Sequence, residues 1–188
     1  TPVVFTHKGQ AQLVAPAGVA TEALDPTSGK LLWTASTGGM NASGLPQYGH
    51  GLVFVNNGMG SMSAIRPDGT GNVEAVWSTR RNIPKKSSVI LHGPHLYMVA
   101  DTGVASCLDA KSGKSLWSER LDAGQFAASP ILSKGRLYFS SINGDVVVTA
   151  AEPKFKVIAR GKFDDGFMAS PAVAGNALIL RTKSAVYR

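Results

Sequence analysis

Cysteine is almost absent: Cys107 is the only one in 188 residues. A disulfide within the chain is thereby excluded, and so is a CxxC metal site. In an alternating run beside Leu108, Cys107 reads as a small buried hydrophobe. Long apolar runs are missing too. None reaches the ~18 residues that a membrane-spanning helix needs. Amphipathic runs of helix formers are scarce, while 21 Gly and 10 Pro punctuate the chain. That combination points to short strands joined by turns. Only 16% of residues are charged against 44% apolar, a globular balance with enough apolar side chain for a core. Residues 1–6 (TPVVFT) already read as a strand, without an initiating Met or a leader. The start is therefore expected to be a processing or cloning boundary.

What is present is a repeat. Residues 107–117 read CLDAKSGKSLW, and residues 24–33 carry the same phrase, LDPTSGKLLW. A looser copy, IRPDGTGNVEAVW, spans 65–77. An eroded one, TAAEPKFKVIA, spans 149–159, with Ile158 expected in the tryptophan place. Trp33, Trp77 and Trp117 are spaced by 44 and 40 residues. A second marker set repeats with them: LPQYGHGLVFV at 45–55, SVILHGPHLYMV at 88–99, SPILSKGRLYFS at 129–140 and SPAVAGNALILR at 170–181. Its leucines, Leu52, Leu96, Leu137 and Leu178, are spaced by 44, 41 and 41. A period near 40 with Gly and Trp markers indicates a β-propeller of four-stranded antiparallel blades.

The units fall at about 1–35, 45–79, 88–119, 129–160 and 170–188. The last lacks a fourth strand, so four full blades plus three strands are expected, and the ring is expected to be incomplete. A closed five-bladed ring is the rival. The second unit has the longest final turn, PDGTGNVE, which carries its extra residues. In each turn phrase, Asp25 or Asp109 can accept backbone N–H groups, and Gly29 or Gly113 takes a φ closed to other residues. Trp33, Trp77 and Trp117 are large plates for the seams between blades. Trp117, with neighbours on both sides, is expected to contribute more than Trp33.

The phrase LDAKSGKSLW, with a strand pair of the SPILSKGRLYFS kind ahead of the turn phrase in its unit, resembles the repeat of the PQQ-like β-propellers, named after the quinoprotein alcohol dehydrogenases. The likeness covers essentially the whole chain. The ending, SPAVAGNALILRTKSAVYR, is similar to the last blades of planctomycete-type PQQ-like propeller proteins. The family includes enzymes and also non-enzymatic relatives of the BamB kind. It implies an extracytoplasmic, periplasmic setting and rings of more blades than this chain supplies, so remaining blades are expected elsewhere. The enzymes resembled hold pyrroloquinoline quinone (PQQ) with a calcium ion, a catalytic Asp and often a disulfide of adjacent cysteines.

The residues of this chain do not carry that chemistry visibly. There is no cysteine pair, and Asp164 and Asp165 form an isolated acidic pair in a linker. No catalytic residue, metal or cofactor is expected in this segment; PQQ and calcium belong only to the alternative reading, the C-terminal part of a quinoprotein dehydrogenase. His7, His50, His92 and His95 fall in turns of successive units and read as surface residues. NNGMGS (56–61) echoes a phosphate loop, but a strand follows it rather than a helix. NAS (41–43) matches a glycosylation acceptor by three residues only.

The formal net charge of +7 concentrates most at RRNIPKK (80–86), without the interleaved aromatics that nucleic-acid binding needs. No nucleic acid is expected. The reading is a non-catalytic binding or scaffold module for a protein or a small anionic ligand. Contacts are expected on the face that carries the unit-to-unit linkers, at Arg80, Arg81, Phe126, Asp164 and Phe167. Exposed loop aromatics make contact candidates, although Phe126, Phe163 and Phe167 can equally plug the gaps between blade ends.

Overall fold

Two aspartates set the tightest turns of the chain. In the computed structural model, which describes residues 1–188, Asp25 Oδ1 accepts the N–H groups of Thr27 and Ser28 at 2.9 Å and the Thr27 hydroxyl at 2.6 Å. Asp109 Oδ1 accepts the Ser112 N–H at 2.8 Å and the Ser112 hydroxyl at 2.6 Å. Gly29 and Gly113 donate back to the Asp25 and Asp109 carbonyls, at φ of 70° and 69°. Both turns are thus closed by their own hydrogen bonds. The Thr27 hydroxyl, followed by the N–H donors, lowers the Asp25 carboxyl from 3.8 to about 2. The Ser112 hydroxyl and N–H lower that of Asp109. A carboxyl group depressed in the folded state favours folding once it is ionised. Its contribution is full above pH 3.8 and is lost as pH falls through about 2. Urea midpoints are therefore expected to drop across that window. In a variant with Asp25→Asn and Asp109→Asn, they are expected to drop less.

Such turns join strands into meanders. The first holds β1 (Val3–His7), β2 (Gln10–Pro16), β3 (Ala20–Leu24) and β4 (Leu31–Ser36). The second holds β5 (Gln47–Gly49), β6 (Leu52–Asn56), β7 (Met62–Ile65) and, past a short strand β8 (Gly71–Val73), β9 (Ala75–Thr79). The third holds β10 (Ile90–His92), β11 (His95–Val99), β12 (Val104–Asp109) and β13 (Ser115–Arg120). The fourth holds β14 (Ile131–Ser133), β15 (Arg136–Ser140), β16 (Asp145–Ala150) and β17 (Val157–Lys162). The last has three strands, β18 (Ala172–Ala174), β19 (Ala177–Arg181) and β20 (Val186–Tyr187). Pairing within every meander is antiparallel, the chain has no helix, and the first and last sheets share no strand. The fold is the expected all-β series of propeller blades in an unclosed ring.

Each full sheet has one bulge, between its third and fourth strands: at Ala23/Leu24, Ala64/Ile65, Cys107/Leu108 and Val148/Thr149. The residue opposite the first member is Trp33, Trp77, Trp117 and Ala159 in turn. The tryptophan place in the fourth sheet thus belongs to Ala159, and Ile158, expected there, points to solvent. The eroded turn had hidden a one-residue shift. Because side chains alternate along a strand, one residue reverses the face.

The long turn of the second unit also forms structure of its own. Its residues 71–73 make β8, which pairs in parallel with β4 of the first sheet, Trp33 opposite Gly71 and Ala35 opposite Val73. The extra residues of that repeat are a strap over the neighbouring blade's outer edge.

The core is a row of seam clusters. Val14, Ala23, Trp33 and Ala35 meet Val53, Val55 and Ile65 across the first seam. Leu52, Phe54 and Met62 meet Leu96, Met98 and Leu108 across the second. Val99, Ala105, Cys107 and Trp117 meet Leu137, Phe139 and Val147 across the third. Each indole also reaches the next unit's turn. Trp77 Nε1 donates to the Ala110 carbonyl and Trp117 Nε1 to that of Glu152, both at 3.1 Å. Trp33 makes the same link through a relay: Nε1 donates to Gln12 Oε1, and Gln12 Nε2 donates to the Pro67 carbonyl, both at 2.8 Å. Burial does not follow the expected ranking of contributions. Trp33 is 0% exposed, Trp117 8%, and Trp77 is half-buried, because only Trp33 lies on a strand covered by β8. A serine ladder adds stitching along the sheet starts. Leu45, Ser88 and Ser129 donate their N–H groups to the hydroxyls of Ser88, Ser129 and Ser170 at 3.0, 2.9 and 2.9 Å.

Candidate functional site

An antiparallel meander sends alternate turns to opposite ends. The first and third turns of a unit share one end, where Ala110 N–H binds the Pro94 carbonyl and Ala151 N–H that of Gly135. The second turn shares the other end with the linkers. There Leu121 N–H binds Gly103, Phe126 N–H binds Asp101, Phe163 N–H binds Gly144 and Phe167 N–H binds Ser141.

The histidines belong to the first end. His50 pairs with the Gly93 carbonyl at 2.7 Å, and His95 Nδ1 lies 3.3 Å from the Tyr97 hydroxyl. His7, expected at the surface, is instead buried, with Nδ1 2.9 Å from the Tyr48 hydroxyl. Tyr48 of the second sheet stacks on Phe5 at 4.0 Å and covers the end of β1. No group of three or more His, Cys, Asp or Glu side chains comes together as a metal set. Burial pushes the Cys107 thiol up to about 11.

On the linker end the expected contact residues part company. Phe126 is 1% exposed and Phe167 0%, so neither offers aromatic surface. Each linker is hydrogen-bonded to the turn below it, and this drives its ring into the adjoining seam, Phe126 beside Val99 and Phe139, Phe167 beside Val146 and Leu180. Phe163 packs edge-on against Phe167 and Tyr187, at 5.2 and 4.9 Å between centroids. The loop aromatics are plugs. Asp164 stays exposed without an ion pair, on a linker two units along the chain from the arginines.

Arg80 and Arg81 are exposed, and neither has a carboxylate partner. As successive residues they enter different clefts. Arg81 lines the seam between the second and third sheets. Arg80 lines a cleft of about 430 Å³ between the 37–40 linker and the 57–61 loop. Met40 and Met59 flank that cleft and are 59% and 58% exposed. Asn57 holds it in shape. Its Oδ1 accepts the N–H groups of Met59 and Ser61 at 2.9 and 3.0 Å, and its Nδ2 donates to the carbonyls of Thr37 and Gly38. Met40, Met59 and Asn57 were not among the expected contacts. The NNG at 56–58 was the available signal, since such a turn commonly fixes its loop through an Asn side chain.

The residue-level comparison centres on the middle of the chain. Residues 70–155 match the family model described as outer membrane protein assembly factor BamB. That stretch is similar to the BamB-like PQQ-repeat propellers. The fold of the chain agrees with the crystal structure of BamB from Moraxella catarrhalis at a TM-score of 0.76, covering 97% of this chain at 13% identity. At that identity the likeness concerns the fold. The chain spans about half the length of that BamB, 55%. No curated protein matches it. As in the sequence reading, no helix is long and apolar enough to cross a membrane.

Proposed function

We propose that this BamB-like propeller segment is a non-catalytic scaffold that docks a protein partner on its linker end, with residues 1–188 acting as one unit. The observation that carries the reading is the Arg80 cleft. Exposed thioethers on both sides supply adaptable apolar contact, and an unpaired guanidinium between them selects an acidic group. Together with the basic 80–86 run and the net charge of +7, this favours an acidic partner segment with apolar side chains. Arg81 and Asp164 are proposed as peripheral contacts. The family model's description, an outer membrane assembly factor, supports an extracytoplasmic, periplasmic setting.

A photo-crosslinker placed at Met59 is expected to capture a defined partner, and one placed at Lys111 in the opposite turns is expected to miss it. Binding of that partner is expected to weaken about tenfold or more in the Arg80→Ala, Met59→Ser double variant. Capture confined to the Lys111 end would refute the assignment.

A further inference from the structure

The repeat supplies its own comparison at the outer part of each seam. Ahead of each bulge, the third and fourth strands present a cross-strand pair. In the third sheet the pair is Ser106 and Ser118, and in the fourth it is Val147 and Arg160. At the third seam Val147 joins the apolar cluster, and the Arg160 guanidinium crosses the seam to the Leu121 carbonyl. At the first seam the corresponding serines, Ser63 and Ser78, face a sheet edge that β8 straps, with Val73 packed on the cluster. The second seam has neither filling. With two serines and no strap it keeps a cleft of about 190 Å³.

The polar groups lining this cleft are biased towards donors. Asn82 Nδ2 donates to Ser118 Oγ at 2.7 Å, and Ser118 Oγ lies 3.0 Å from Ser106 Oγ. Two hydroxyl hydrogens share one hydrogen bond, so one of them has no acceptor on the chain. Ser106 is 2% exposed and Ser118 half-buried, so the pair lies at the inner part of the cleft. Thr79 Oγ1 accepts from Arg81 N–H, and its own hydrogen is also without an acceptor. Arg81 lines the same cleft, and no carboxylate does.

We propose that the cleft between the second and third sheets binds a small tetrahedral oxyanion of the phosphate class. The Arg81 guanidinium neutralises it, and the hydroxyls of Thr79 and of the Ser106–Ser118 pair donate to it. Donors from several directions suit a tetrahedral anion better than a planar carboxylate. This site is separate from the Arg80 cleft, and either can fail while the other stands.

Titration calorimetry on the full chain with inorganic phosphate tests it, with acetate in parallel. Saturable phosphate binding is expected, with acetate at least tenfold weaker. Arg81→Gln is expected to weaken phosphate binding at least tenfold. Ser118→Arg, which imports the fourth sheet's own filling, is expected to abolish it. Lys85→Gln, a nearby exposed cation outside the cleft, should leave it unchanged. Arg81 is solvent-exposed, so its variant reports binding even if Ser118→Arg perturbs the fold. Absence of saturable phosphate binding, acetate binding as tight as phosphate, or equal effects of Arg81→Gln and Lys85→Gln would each overturn the proposal.

Discussion

Replacing Trp33 with alanine is expected to destabilise the chain by about 3–5 kcal/mol, the range for deleting a fully buried large aromatic. The indole fills the first seam among Val14, Ala23, Val53, Val55 and Ile65 with no exposure. It is also the donor to Gln12 Oε1, and Gln12 is itself only 2% exposed. Truncation therefore leaves a cavity and a buried amide oxygen without its donor. The β8 strap limits collapse into the gap, because it is tied along β4 by parallel pairing at Trp33. Trp77 is half-buried and donates to a carbonyl at the next turn, so Trp77→Ala is expected to cost about 1–3 kcal/mol. Guanidinium melts of the two variants decide the matter. A larger loss at Trp77 than at Trp33 would contradict the seam account.

Gly144→Ala is expected to cost about 2–4 kcal/mol, through two effects that a control can separate. Gly144 has a φ of 91°, where a side chain is strained. A Cβ there would also lie 2.5 Å from the Phe163 carbonyl oxygen and 2.8 Å from that of Asp165. The linker cannot simply lift away, because Phe163 N–H is bonded to the Gly144 carbonyl at 2.9 Å and Phe167 N–H to that of Ser141 at 3.0 Å. Gly135 has a φ of 71° with open space around its Cβ position, so Gly135→Ala carries only the conformational part, about 1 kcal/mol. Hydrogen exchange is expected to quicken over residues 163–167 in Gly144→Ala and to stay unchanged there in Gly135→Ala. Equal losses in the two variants would remove close linker approach as the cause. Gly103 holds the same place in the third unit, with a φ of 87°, beneath the Gly124 carbonyl.

The candidate site was less legible than the fold for a physical reason. The expected contacts Phe126 and Phe167 were read from residue type and loop position. Whether a loop aromatic faces solvent or plugs a seam depends on how its linker docks, and that docking is made by backbone bonds to a distant turn. Arg80 and Arg81 were singled out together because they are adjacent in the chain. Their division between two clefts follows from the way the linker passes over the seam. Met40 and Met59 are 19 residues apart in sequence, with nothing local to pair them. They become neighbours of one cleft only when the first linker and the second unit's loop are brought together around Asn57.

The sequence by itself determined the repeat, the all-β class and the closed Asp–Gly turns, because a turn, a strand's alternation and a period are local properties. Asp25 and Asp109 satisfy their turns within five residues of chain, and no tertiary neighbour is needed to see it. Tertiary structure alone decided what the irregular pieces do. The surplus residues of PDGTGNVE become a strand on the preceding blade, Ile158 yields the tryptophan place to Ala159, and Trp33 is the most deeply buried of the three indoles. Each outcome turns on a partner in another unit or on a one-residue register, and side-chain alternation makes a single residue enough to exchange one face of the sheet for the other.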